Sequence, residues 1–149
     1  MDLALSAEHE AFREEVKTFL AEQGRNAPGP GAQGLKHPER LAWQKTLIEN
    51  GYAARTIPRE YGGYGAAPDI LKSRIIAEEF AKAGVPTGLS GQGISMLVPT
   101  LLELGTEAQK QAYIPPTLAG EMIWCQGYSE PGAGSDLASL KTSAVVEEG

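Results

Sequence analysis

The prolines and glycines of this chain gather in clusters, and the clusters decide what the rest of it can become. Residues 26–34 read NAPGPGAQG and residues 56–68 read TIPREYGGYGAAP, stretches in which locked and freely rotating φ angles follow too densely for a helix or strand to persist. Around them lie segments whose apolar residues recur at helical spacing. Ser6 is placed to cap the first, with Glu8 and Glu10 in its opening turn and Phe12, Val16, Phe19 and Leu20 on one face before Gly24. Pro38 suits the first turn of a second helix, which carries Leu41, Trp43, Leu47 and Ile48 toward a core and meets a left-handed stop at Gly51. A third runs from about Asp69 to Ala83, with Ile70, Ile76, Ala77, Phe80 and Ala81 as the expected buried positions.

From Leu89 to Leu104 the apolar pattern is nearly continuous, which predicts a helix buried on several sides and kinked at Pro99. The tetrapeptide TEAQ at 106–109 has the spacing of a capping box, so a short helix should start at Thr106 and stop before Pro115. Past Gly120 the composition shifts toward residues that favour strands, in MIWCQGYS and again in LKTSAVVEE. No internal repeat interrupts this order.

Composition enters by exclusion. A formal net charge of -6 with scattered Lys and Arg opposes binding to nucleic acid or to an anionic membrane surface. The longest apolar run, MIWC at 122–125, is too short to span a bilayer, and the opening MDLALSAEHE has no basic and apolar regions of a secretory type, so a cytoplasmic location is expected. Cys125 is the single cysteine and His9 and His37 are the only histidines, which argues against a thiolate or imidazole metal site.

Chemistry concentrates in SEPGAGSD at 129–136. Pro131 fixes one φ, while Gly132 and Gly134 permit positive φ and leave no Cβ in the way of a ligand. Such a loop can turn successive amides toward an anion, with the hydroxyls of Ser129 and Ser135 as neutral donors. Trp124 and Tyr128, separated by Gly127, offer flat apolar faces to a planar ring. Composition alone leaves this reading and that of an ordinary glycine-rich turn both open. A P-loop is excluded by the lack of Gly-Lys-Ser/Thr, and a Rossmann fingerprint by its missing third glycine.

Three segments together, WCQGYSEPGAGSDLASLKTSA at 124–144, GYAARTIPREYGGYG at 51–65 and LLELGTEAQKQAYIPPTLAGE at 101–121, resemble the acyl-CoA dehydrogenase family of FAD flavoenzymes. The resemblance implies a mainly α fold: an orthogonal helical bundle of that family's N-terminal type over residues 1–120, then the first strands of its middle β-barrel domain over residues 121–149. It implies FAD as cofactor, with Gln126, Tyr128, Ser129, Gly134 and Ser135 contacting it. In relatives the position of Ser129 bonds the pyrimidine side of the flavin, and those of Gly134 and Ser135 lie at the pyrophosphate. Gln126 stands where some relatives carry an aromatic residue and Tyr128 where they carry a small aliphatic one. For the acyl-CoA substrate it implies Ser135, Gln92, Gly93 and Met96. Met96 has a competing reading as a plain core residue.

In the resembling enzymes the base is a glutamate of a C-terminal domain, so no catalytic residue is assigned within this chain, and the chain is expected to be part of a larger enzyme. Glu130 and Asp136 are expected to bond nearby backbone or cations, and Cys125 to be a buried, unreactive thiol. The partners implied are an acyl-CoA, electron-transfer flavoprotein as electron acceptor, and further subunits, either of a homotetramer or of a heteromer with a paralogous chain. A helical interaction subunit without the chemistry, or a related FAD oxidase or monooxygenase, are the alternatives.

Overall fold

Helix α1 (Ala7–Gln23) starts where a hydroxyl can replace a missing helical acceptor: Ser6 Oγ accepts from the His9 amide at 3.4 Å. The computed structural model describes residues 6–34 and 36–146. Helix α2 (Pro38–Glu49) opens on its proline and is followed by Gly51 at φ +75°, as the spacing predicts. Helix α3 (Ile70–Ala83) is capped by Asp69, whose carboxylate accepts from the Lys72 amide at 2.9 Å.

These three helices close the first core. Phe12, Val16, Phe19 and Leu20 of α1 meet Trp43 and Leu47 of α2 and Ile75, Ile76 and Phe80 of α3. Phe19 lies at its centre, with ring centroids 4.5 Å from Tyr52, 5.9 Å from Trp43 and 6.3 Å from Phe80. The buried face of α3 is turned from the one expected. Ile70, Ala77 and Ala81 are exposed, while Ile75 and Glu79 are buried. The phase is set by α1: Arg13 donates to Glu79 and, at 3.1 Å, to Glu78, and Lys82 donates to Glu79 at 2.8 Å. Those bonds, with Lys82 contributing most, hold the Glu79 carboxyl below the ordinary glutamate range despite its burial.

A second core forms around Tyr61, Val98, Ile114 and Leu118. It joins helices α4 (Val98–Leu104) and α5 (Glu107–Leu118) to the proline- and glycine-rich stretch, which is irregular apart from a short turn at Arg59–Tyr61. Tyr61 is buried and donates to Glu107 Oε2 at 2.9 Å, a bond to a carboxylate that pushes its phenol up to about 12. The capping box predicted at Thr106 is present, with Thr106 N to Gln109 Oε1 at 2.9 Å and Gln109 N to Thr106 Oγ1 at 3.3 Å.

Helix α5 does not stop before Pro115; it runs through Pro115 and Pro116 to Leu118. The two missing amides are outweighed by packing, because Ile114 and Leu118 are almost fully enclosed and Thr117 Oγ1 donates to the Tyr113 carbonyl at 2.6 Å. The stretch Leu89–Leu104 also differs from expectation. Helix begins at Gln92, passes through a wide five-residue turn at Gly93–Leu97 and continues as α4, and it is far from enclosed, with Leu104 77% exposed. Among the described residues no strand forms past Gly120; the only pairing is an isolated antiparallel bridge between Glu130 and Ala133. Strand-forming residues need a neighbouring strand to bond, and the side chain of Trp124 is instead packed onto the helices.

The two cores are tied by Gln44. It is 2% exposed, donates through Nε2 to the Leu118 carbonyl at 2.8 Å and accepts at Oε1 from the Leu89 amide at 2.8 Å. Next to it, Trp43 Nε1 donates to the Pro86 carbonyl at 2.8 Å. Helix α2 therefore fixes the loop that leads into Gln92.

Replacing Gln44 by Leu strands a buried carbonyl and a half-buried amide and should cost roughly 3 kcal/mol, read as a lower urea midpoint at unchanged slope. A loss under about 0.5 kcal/mol would show that the cores do not depend on this amide. A Glu79→Gln variant tests the buried pair. Because the folded-state value is depressed, its stabilisation is present above the ordinary glutamate range near 4.3 and is lost as pH falls through the folded value. Parent and variant stabilities should differ at pH 7 and converge on acidification; parallel curves would refute the assignment.

Candidate functional site

The wide turn at Gly93–Leu97 has a local cause. The Val98 amide reaches back five residues to the Gly93 carbonyl, and Pro99, which cannot donate and whose ring crowds the preceding turn, follows at once. The kink expected at Pro99 thus takes the form of a widened turn upstream of it. One result is that Gln92, Met96, Leu97 and Thr100 line one side of an open groove of about 230 Å³, with residues 124–128 along the other.

Across that groove Gln92 Nε2 donates to Gln126 Oε1 at 3.1 Å. The structure therefore brings together four of the residues singled out by sequence: Gln92 and Met96 from the helix, Gln126 and Tyr128 from the later segment. Met96 is 45% exposed, so its reading as a plain core residue is overturned. Cys125 is exposed as well, where an apolar context had predicted burial. Both errors share one cause, since an apolar side chain bordering an open groove looks in sequence like one inside a core.

Gly93 is buried beneath the groove. A Cβ there would come within 2.6 Å of Trp124 Cδ1 and 3.0 Å of Thr117 Cγ2, so the absence of a side chain lets the indole close onto the helix. Trp124 is further held by Nε1 donating to Thr117 Oγ1 at 2.8 Å and by an edge contact with the Tyr113 ring at 5.7 Å and 83°. Tyr128, in contrast, is 70% exposed. Leu97, Thr100 and the Thr117 anchor were not anticipated. Thr100 stands four residues from Met96, a helical interval that could have found it.

Ser129, Gly134 and Ser135 are exposed and take no part in the groove's lining. The loop they flank is closed on itself, because the Glu130 amide bonds the Ala133 carbonyl at 2.9 Å and the Ala133 amide bonds the Glu130 carbonyl at 3.1 Å. Neither Gly132 nor Gly134 has a positive φ, so the anion nest that their pattern suggests is not formed. Their other property is retained: a Cβ at Gly127, Gly132 or Gly134 would meet no atom within 4 Å, leaving the backbone open to approach.

The Glu130 carboxylate bonds nearby backbone, as expected. It accepts from the Lys141 amide at 3.0 Å, the Thr142 amide at 2.6 Å and the Thr142 hydroxyl. The Thr142 hydroxyl first, then those amides, lower its pKa from the usual glutamate value. Asp136 contributes through its carbonyl, which accepts from Ser139 Oγ at 2.9 Å. Among the described residues no three His, Cys, Asp or Glu side chains gather as a metal centre, and no helix is long and apolar enough to cross a membrane.

Comparison with known proteins shows what this arrangement is similar to. Residues 6–121 match the family model described as acyl-CoA dehydrogenase, N-terminal domain. Acyl-CoA dehydrogenase IpdE1 of Mycolicibacterium smegmatis is 37% identical over 146 residues, an overlap of 93% of this chain and 37% of that protein. Two solved structures superpose over 99% of the chain. The Tcur3481-Tcur3483 steroid ACAD does so with a TM-score of 0.63 at 34% identity, over 38% of its own length. The ChsE4-ChsE5 complex from Mycobacterium tuberculosis does so with a TM-score of 0.60 at 30% identity, over 36% of its own length. The chain spans about 37% of the length of the curated relatives it matches first.

A Glu130→Gln variant tests the closed loop. The amides of Lys141 and Thr142 should exchange hydrogen faster in the variant than in the parent at pH 7. The parent itself should lose the protection as pH falls through the depressed carboxylate value. Equal exchange in both proteins at neutral pH would show that the carboxylate does not hold the loop.

Proposed function

This chain belongs to the acyl-CoA dehydrogenase family, and on that premise we propose that it is part of an FAD-dependent enzyme that desaturates an acyl-CoA thioester between Cα and Cβ. In this reading residues 1–120 are its helical domain and residues 121–149 open the β-barrel domain, whose strands pair once their neighbours are in place. The observation that carries it is the groove in which Gln92 and Gln126 are hydrogen-bonded, bordered by Met96 and Tyr128. Helix and later segment meet there in an open groove, a concave surface that supports the reading of a binding cleft.

The residues present suit the cofactor. Open backbone at Gly127 and Gly134 and the exposed hydroxyls of Ser129 and Ser135 supply neutral donors without steric obstruction. Gly134 and Ser135 would hold the diphosphate, Ser129 the pyrimidine edge, and Gln126 and Tyr128 would border the ring. FAD held there would supply the acceptor for the hydride leaving Cβ. The chain's own residues bind and orient: Gln92 and Met96 would face the acyl group, Gly93 keeps the helix close to Trp124, and Ser135, which lies outside the groove's lining, would touch the acyl-CoA. None of them is proposed to take the Cα proton, and Glu130 is unsuited to it because its carboxylate is committed to Lys141 and Thr142.

The likeness to a steroid ACAD supports a bulky, ring-bearing acyl group as substrate, and the likeness to a two-component complex supports assembly with a paralogous chain. Electron-transfer flavoprotein is the proposed acceptor. The test is anaerobic mixing of the purified, complete gene product with a panel of acyl-CoAs from short linear to ring-bearing. Visible flavin absorbance should bleach, fastest with the ring-bearing thioesters. A product that carries no flavin, or whose flavin bleaches with no thioester, overturns the proposal.

A further inference from the structure

Beside the groove lies a second open cavity, of about 130 Å³, whose apolar lining includes Leu89, Ile94, Met122 and Ile123. The two cavities share two lining residues, Gln92 and Trp124. The indole is a fixed partition: Thr117 holds its N–H, Tyr113 meets its edge, and Gly93 admits it against the helix. An apolar space of roughly 150 Å³ accommodates a benzene-sized guest. At about 130 Å³ the second cavity is close to that size, it is open to solvent along Ser90, Gly91 and Ile123, and the side chains standing between it and the groove are those of Gln92 and Trp124.

We propose that Trp124 sets the size of the acyl group this site accepts, by standing between the groove beside Met96 and the second cavity beside Ile94. The proposal rests on the reading of the groove as an acyl-CoA site. A substrate that ends at the indole stays in the groove; one that needs more room reaches the second cavity only if the ring is moved or removed. Size selection in a hydrophobic pocket works through such steric limits more than through attraction.

In the complete gene product with its flavin, Trp124→Ala should raise the ratio of kcat/KM for a larger acyl-CoA over a smaller one at least tenfold, and Trp124→Phe should change it little. Gly93→Ala gives the opposite handle without opening a void, since the new Cβ would press on Trp124 and Thr117. It should shift the ratio toward smaller acyl groups. Ratios unchanged in both Trp124→Ala and Gly93→Ala overturn the proposal even where absolute rates fall. If no thioester reduces the flavin of the parent, the dehydrogenase reading falls and the partition is judged by binding alone. Biphenyl, larger than the indole removed, should then raise the melting temperature of Trp124→Ala and leave the parent unchanged. No shift in the variant overturns the partition.

Discussion

The side-chain amide of Gln44 is the contact on which the rest of the molecule depends. Two hydrophobic clusters of this size could slide against each other, because apolar contact carries no direction. A buried amide does carry one. By accepting from Leu89 and donating to Leu118, Gln44 fixes the end of α5 and the loop before Gln92 to the same point on α2. With both partners satisfied the polar group costs little; with either missing it would be among the most destabilising features of the fold. A Cβ at Gly88 would run into Gln44 Oε1, so the loop has no room to relax away from it.

From that point the site follows by short steps. Tyr61 pins the start of α5 through Glu107, and Thr117 near its end receives the indole of Trp124. The stretch PREYGG is thus structural in purpose: it seats the helix whose far end anchors the segment bearing Gln126 and Tyr128. On the other wall the wide turn at Gly93–Leu97 sets the position of Met96 and Thr100. Both walls are held by residues outside the groove, Thr117 for one and Gly93 and Val98 for the other.

What sequence could reveal divides along the distance over which each feature is decided. The caps at Ser6 and Thr106, the start of α3 near Asp69 and the stripe of α1 depend on neighbours within a turn or two, and they were legible. The buried face of α3 was not, because its phase answers to Arg13 in another helix, and a buried Glu79 has no signature of its own. Pro115 and Pro116 are helix breakers by every local rule, and they were overruled by the enclosure of Ile114 and Leu118. In the site, resemblance to a family supplied Gln92 and Met96 as substrate positions and Gln126 and Tyr128 as cofactor positions, while their meeting across one groove was not anticipated. Nor was their exposure, since Met96 and Cys125 show the same apolar neighbours at a groove's edge as within a core. Strands past Gly120 were expected from propensity, and propensity has no effect without a second strand to bond.

The bonds from Glu130 to Lys141 and Thr142 have a thermodynamic consequence for whatever the glycine-rich turn receives. Chain entropy is lost when a flexible segment settles onto a guest, and that loss subtracts from affinity. Here the two ends of the segment are already joined across eleven and twelve positions, so a large part of the ordering precedes any encounter. What is left to order is the turn itself, whose Gly132 and Gly134 do not hold the left-handed angles of an anion nest.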